Sequence, residues 1–117
     1  MARLSTHVLD TARGQAAANL RIELYRLEDG ARQHCLTVRT NPDGRTDAPL
    51  LSGDRIPTGE YELTFAAGDY FRAHGVVLPQ PPFLDEIVVR FGIADGAANY
   101  HVPLLVSPYG YSTYKGT

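Results

Sequence analysis

The sequence predicts an all-β fold, a two-layer antiparallel β-sandwich with one short helix. Apolar and polar side chains alternate at period two in several separate runs, the pattern of strands with one buried face. Between those runs stands turn chemistry, at Glu28-Asp29-Gly30, Asn41-Pro42-Asp43-Gly44, Pro57-Thr58-Gly59 and Ala94-Asp95-Gly96. Only one stretch reads as helical, and it is too brief for a βαβ crossover, so a parallel sheet would lack its connections.

The first strand is Leu4-Ser5-Thr6-His7-Val8-Leu9, in which Ser5, His7 and Leu9 share a face. Next, Leu20, Ile22 and Leu24 alternate with Arg21, Glu23 and Tyr25, and the pattern recurs at Leu36 and Val38. Tyr61, Leu63 and Phe65 stand opposite Glu60, Glu62 and Thr64, which are assigned to a wet or partner-facing side. The helical stretch follows, with Asp69 as its cap, Tyr70 to His74 as its turn and Gly75 as its stop. Leu78-Pro79-Gln80-Pro81-Pro82-Phe83 lacks ladder donors and is predicted as an extended connection. The clearest alternation is Ile87, Val89, Phe91 and Ile93. Tyr100 to Val106 forms an apolar strand, and Pro103 within it points to an edge position or a break in the ladder.

A chain of 117 residues with 44% hydrophobic side chains suffices for one core, so residues 1–117 are expected to form a single domain. Its net charge of −2 is spread along the chain, without the basic stripe that holds phosphate backbones, and nucleic acid is not an expected partner. No apolar run approaches the ~20 residues of a membrane helix. MARLSTHVLD lacks the apolar stretch of a signal peptide, and the sequence reads as cytoplasmic. Cys35 is the single cysteine, so no intrachain disulfide or CxxC motif exists, and it is expected as a half-buried strand thiol.

Four places carry polar or titratable groups inside apolar β patterns. His7 fits a packed or surface strand histidine as well as a functional one. Arg45 follows the turn Asn41–Gly44, where its planar fork of donors suits a planar anion, although an arginine beside a turn also suits plain solvation. His101 sits in an apolar strand and must find a hydrogen-bond partner or expose its ring to a cleft or a partner subunit. Its titration near neutrality suits proton transfer. The tail Ser107–Thr117 is too rich in tyrosine and hydroxyl residues for a frayed end, and we expect it to be a structured part of an active site. Tyr111, Thr113 and Lys115 fall on one face of an extended tail, and Ser112 and Tyr114 on the other.

Three segments, LSTHVLDTARG, TNPDGRTDAPLL and YHVPLLVSPYGYSTYKGT, resemble in order and placement the signature blocks of the 5-hydroxyisourate hydrolase family, the transthyretin-related proteins of purine catabolism. The resemblance implies a transthyretin-like β-sandwich, a homotetramer with active sites in channels between dimers, and no cofactor or metal. It implies hydrolysis of 5-hydroxyisourate, a planar purine-derived small molecule, to 2-oxo-4-hydroxy-4-carboxy-5-ureidoimidazoline. By that resemblance His7, Arg45 and His101 match the catalytic residues, and these three with Tyr114, Lys115 and Thr117 bind substrate. One histidine would be the general base through water, the choice between His7 and His101 being open, while Arg45 orients the ring. Tyr114 and Thr117 would position water or the substrate's polar edge, and Lys115 would add positive potential at the channel mouth. The family's closing tetrapeptide is most often Tyr-Arg-Gly-Ser, whereas this chain ends Tyr114-Lys115-Gly116-Thr117, which keeps charge and hydroxyl but replaces a planar fork by a point charge.

Three other readings compete. A transthyretin-like carrier would bind a small aromatic ligand in the same channel without chemistry, and the set His7, Arg45, His101 and hydroxyl-rich tail argues against it. A zinc site on His7 and His101 lacks an evident third ligand, since His34 and His74 read as surface residues. A generic immunoglobulin-like binding module stands only if the resemblance is set aside.

Overall fold

The computed structural model describes all residues, Met1–Thr117. Strands β1 (Ala2–Asp10), β2 (Gln15–Ala16), β3 (Arg21–Glu28), β4 (Ala31–Arg39), β5 (Leu51–Gly53) and β6 (Gly59–Ala66) precede helix α1 (Ala67–Ala73). Strands β7 (Glu86–Ile93), β8 (Asn99–Ser107) and β9 (Gly110–Thr113) follow it. One sheet has the order β2-β1-β8-β9, with β5 also pairing β1, and the other has the order β4-β3-β6-β7. The transthyretin-like sandwich expected from the sequence is therefore the fold observed. No helix is long and apolar enough to cross a membrane.

Alternation in each strand selects the core. Leu4 and Val8 of β1, Ile22 and Leu24 of β3, Leu63 and Phe65 of β6, and Leu104 and Val106 of β8 are all fully buried between the sheets. Each such side chain contributes about 1.5–3 kcal/mol on leaving water. The opposite face of β1, carrying Arg3, Ser5 and His7, is left exposed or half-buried. Asp10 anchors the end of β1: its carboxylate accepts the Ala12 and Arg13 amides, both at 3.0 Å, and the Tyr70 hydroxyl at 2.8 Å. That fully buried carboxylate ties β1 to α1.

Several expectations are corrected. All strand pairs are antiparallel except β1 with β8, which run parallel from Arg3 opposite Asn99 to Asp10 opposite Val106. The connection a parallel pair needs is here the whole intervening sheet rather than a crossover helix. Of the two alternatives for Pro103, an edge position or a break in the ladder, the second holds: β8 is flanked by β1 and β9, and the β8–β9 ladder stops at Leu104–Thr113, just short of Pro103. Amide groups of one strand residue point to one side, and those of Pro103 face β9 between the pairs Leu104–Thr113 and His101–Gly116, where no donor is required. Its carbonyl accepts the Thr113 hydroxyl at 2.7 Å.

The helix starts at Ala67, capped by Ala66 without a side-chain bond, so Asp69 is a first-turn residue rather than the cap. No side-chain cap is required because the Gly68 amide donates to the Asp85 carbonyl at 2.9 Å. Gly75 does stop the helix, at φ +82°. Cys35 is exposed. It is the extra residue of a bulge, since Leu24 pairs with Leu36 and Tyr25 with His34. Glu62 and Thr64, assigned to the wet side, are buried. Arg90 and Arg32 cover Glu62, at 2.8 Å and 3.5 Å from its carboxylate.

Candidate active site

The parallel register of β1 and β8 decides which outward side chains meet. Ser5 is opposite His101 and His7 is opposite Pro103. The Thr6 hydroxyl, buried on the other face, donates to the Val102 carbonyl at 2.7 Å and secures this register beside the site. His101 is half-buried, and its Nδ1 lies 2.8 Å from the Ser5 hydroxyl. Its pKa is lowered from the ordinary 6.5, first by burial and then by the positive charges of Arg45, His7 and Arg3. The ring therefore stays neutral, with a lone pair available, to lower pH than a free imidazole.

Arg45 reaches the same place by way of the turn between β4 and β5. Asn41 organises that turn, its side-chain oxygen accepting the amides of Asp43 at 2.9 Å and Arg45 at 3.2 Å. Gly44 has φ +75°, and a Cβ there would fall 2.4 Å from the Val8 carbonyl oxygen, so only glycine lets the turn lie against β1. The Gly44 carbonyl accepts the Val8 amide at 2.8 Å. His7 Nε2 is 2.9 Å from the Asp43 carbonyl, and because a carbonyl only accepts, Nε2 carries the proton. The turn is thus pinned to β1 at His7 and at Val8. Neither Arg3 nor Arg45 is paired with a carboxylate.

The tail closes the third side. Strand β9 pairs with β8 as far as Thr113, and the Gly116 amide then donates to the His101 carbonyl at 2.8 Å. A Cβ on Gly116 would meet His101 Cδ2 at 2.6 Å, so the glycine backbone lies directly against the imidazole edge. The resulting cleft, of about 260 Å³, is lined by Arg3, Ser5, Arg45, Asn99, Tyr100, His101 and Thr117. It opens beside a hollow of about 200 Å³ bounded by Thr46 to Pro49 and by Arg3 and Arg45 again. Two guanidinium groups, an imidazole of lowered basicity and a terminal hydroxyl make a cleft suited to a polar, planar, electron-rich ligand.

Of the residues singled out from the sequence, Arg45, His101 and Thr117 line one cleft, and His7 stands next to it at the turn. Tyr114 and Lys115 face a separate, mostly apolar hollow of about 190 Å³ with Val89, Phe91 and Val102, and Lys115 Nζ is 5.2 Å from the Tyr100 ring centre. His34 and His74 are exposed and remote, bonded to Thr37 and to the Tyr70 carbonyl. No three His, Cys, Asp or Glu side chains converge anywhere in the chain. Arg3 and Ser5 escaped the sequence reading as functional candidates. The available signal was that both share the outward face of His7, two and four residues upstream.

These features define a transthyretin-like sandwich that carries a cationic, imidazole-bearing cleft on the outer face of one sheet. The chain belongs to the HIUase/Transthyretin family, whose model matches residues 4–116. The 5-hydroxyisourate hydrolase of Mesorhizobium japonicum is 63% identical over 115 residues, covering 98% of this chain and 92% of that protein. Among solved structures, the 5-hydroxyisourate hydrolase of Klebsiella pneumoniae is 31% identical with a TM-score of 0.82 over 100% of both chains. The (S)-allantoin synthase structure is 44% identical with a TM-score of 0.92, and the match covers 99% of this chain and 44% of that one.

Proposed function

We propose that the protein is a cytoplasmic 5-hydroxyisourate hydrolase of purine catabolism, formed by one domain over residues 1–117. Curated relatives over nearly the full chain bear that name, and the observation that carries the chemistry is a neutral-leaning His101 facing a cleft with Arg45 and Thr117.

The reaction adds water across an amide-type bond of the six-membered ring. The water oxygen bonds to the carbonyl carbon, its proton passes to a base, and the carbon–nitrogen bond breaks as nitrogen takes a proton. The product bears a carboxylate. A neutral imidazole is the base such a step needs, and His101 fits the part better than His7 because it is the histidine that lines the cleft. Arg45 holds the planar substrate and stabilises the charge that develops on the carbonyl oxygen. His7 fixes the Arg45 turn, and the Thr117 hydroxyl positions water or the substrate's polar edge.

We further propose a homotetramer with sites between chains, in which Tyr114 and Lys115 complete a neighbouring site. Their place in a hollow other than the His101 cleft supports this, as does the exposure of Tyr109, Tyr111 and Tyr114 around the tail.

The test follows the decay of freshly generated 5-hydroxyisourate by ultraviolet absorbance. His101→Asn should lower kcat by about 10²–10⁴, the usual contribution of a proton-transfer group, and Arg45→Ala should raise KM and lower kcat together. Wild-type decay in either variant refutes that residue's role, and binding without any decay in the unmodified protein would leave a carrier.

A further inference from the structure

We infer that Ser5 is the positioning residue of His101, holding its imidazole by Nδ1 so that the Cε1–Nε2 edge points into the cleft. The inference deepens the hydrolase reading and rests on it for the identity of the step.

Two contacts grip the ring from opposite sides of its Cγ. Ser5 Oγ lies 2.8 Å from Nδ1, and the Gly116 backbone lies so close to Cδ2 that a Cβ there would be 2.6 Å away. What remains free is the far edge, with Nε2. The Ser5 hydroxyl makes no other hydrogen bond, so its orientation is available to His101 alone. It meets the ring because β1 and β8 run parallel with Ser5 opposite His101. In the inferred arrangement Nδ1 carries a proton and the hydroxyl accepts it in both the neutral and the protonated ring, which leaves Nε2 to take and return a proton.

The chemistry of the residue at position 5 matters as much as its place. The groups facing His101 are Arg3, Ser5 and His7 from β1, Arg45 from the β4–β5 turn, Asn99 and Tyr100 from β8, and Gly116 with terminal Thr117 from the tail. Among the side chains the only charges are positive. A carboxylate at position 5 would orient the ring equally well but would offset those charges and stabilise the imidazolium. Serine orients without adding charge, and so keeps the base neutral and the cleft attractive to an electron-rich ligand.

The experiment compares Ser5→Ala, Ser5→Thr and Ser5→Asp with the unmodified protein in the 5-hydroxyisourate assay, with thermal midpoints as a folding control and ¹⁵N spectra of His101 as a second readout. Ser5→Ala should lower kcat about ten-fold at nearly constant KM, the size of one orienting hydrogen bond, without a matching fall in thermal midpoint. Its His101 signal should move toward a mixture of tautomers. Ser5→Thr should restore kcat, and Ser5→Asp should shift the acid limb of the pH profile upward. Wild-type kcat in Ser5→Ala, or an unchanged tautomer, overturns the inference. If the unmodified protein fails to hydrolyse the substrate, the hydrolase reading fails separately, and the tautomer comparison still decides whether Ser5 sets the ring.

Discussion

His101 concentrates the physics of the site in one ring. Burial and the neighbouring Arg45, His7 and Arg3 all disfavour its protonated form, so its folded pKa lies below the ordinary 6.5. The acid limb of kcat/KM should therefore fall below pH 6.5, and replacing Arg3 by Gln should move it upward by removing one of the opposing charges. A rate profile whose acid limb sits above 6.5 in the unmodified protein would contradict this assignment. The same shift has a stability consequence. Between the folded value and 6.5 the unfolded chain binds the proton and the folded one does not, so His101's contribution to stability rises with pH through that window and levels off above it. Denaturant titrations across the window should show that slope flattened in His101→Asn. At this scale the sequence was partly legible. His7, Arg45 and His101 stood out because titratable groups in apolar or turn settings demand an explanation. Ser5 and Arg3 did not, because a serine or an arginine on an exposed strand face is ordinary until its cross-strand partner is known.

Two elements bring those residues together, and both depend on a glycine. At Gly44, φ is +75° and the Val8 carbonyl oxygen occupies the space a Cβ would need. Gly44→Ala should cost about 1–3 kcal/mol and lower Tm by several degrees, and should raise KM because Arg45 rides on the same turn. An unchanged Tm would show that the turn relaxes at little cost. The tail is the second element. Removing Tyr114 to Thr117 deletes the Gly116–His101 bridge but leaves the β8–β9 pairs intact, so most turnover should be lost while the far-ultraviolet circular dichroism stays β-like. Unchanged turnover would return the tail to a structural role. Strand alternation was readable for β1, β3, β7 and β8, because one buried face writes period two into the side chains. It misled at Glu62, where Arg90 and Arg32 bury a carboxylate on the outer face, whereas Pro103 did mark a break, its missing donor falling where the β8–β9 ladder stops.

For the whole molecule, the pairing of residue 5 with residue 101 joins opposite ends of the chain in a single cleft. Tyr114 and Lys115 lie outside that cleft, and the proposed tetramer is what gives them a place beside substrate. Light scattering of the purified protein should then return a mass near four times the 12.8 kDa chain. A monomeric mass combined with full activity would refute the interfacial site and confine catalysis to the residues of one chain. The sequence alone determined that this chain is an all-β sandwich and supplied the imidazoles, guanidinium and glycine-punctuated tail of the site, because burial and turn formation leave local signatures. Only the tertiary structure decided that β1 and β8 run parallel, that Ser5 therefore meets His101, and that Lys115 lines the hollow on the Val89 and Phe91 side of Tyr100. Register between strands nearly a hundred residues apart is set by the packing of both sheets, and no local pattern records it.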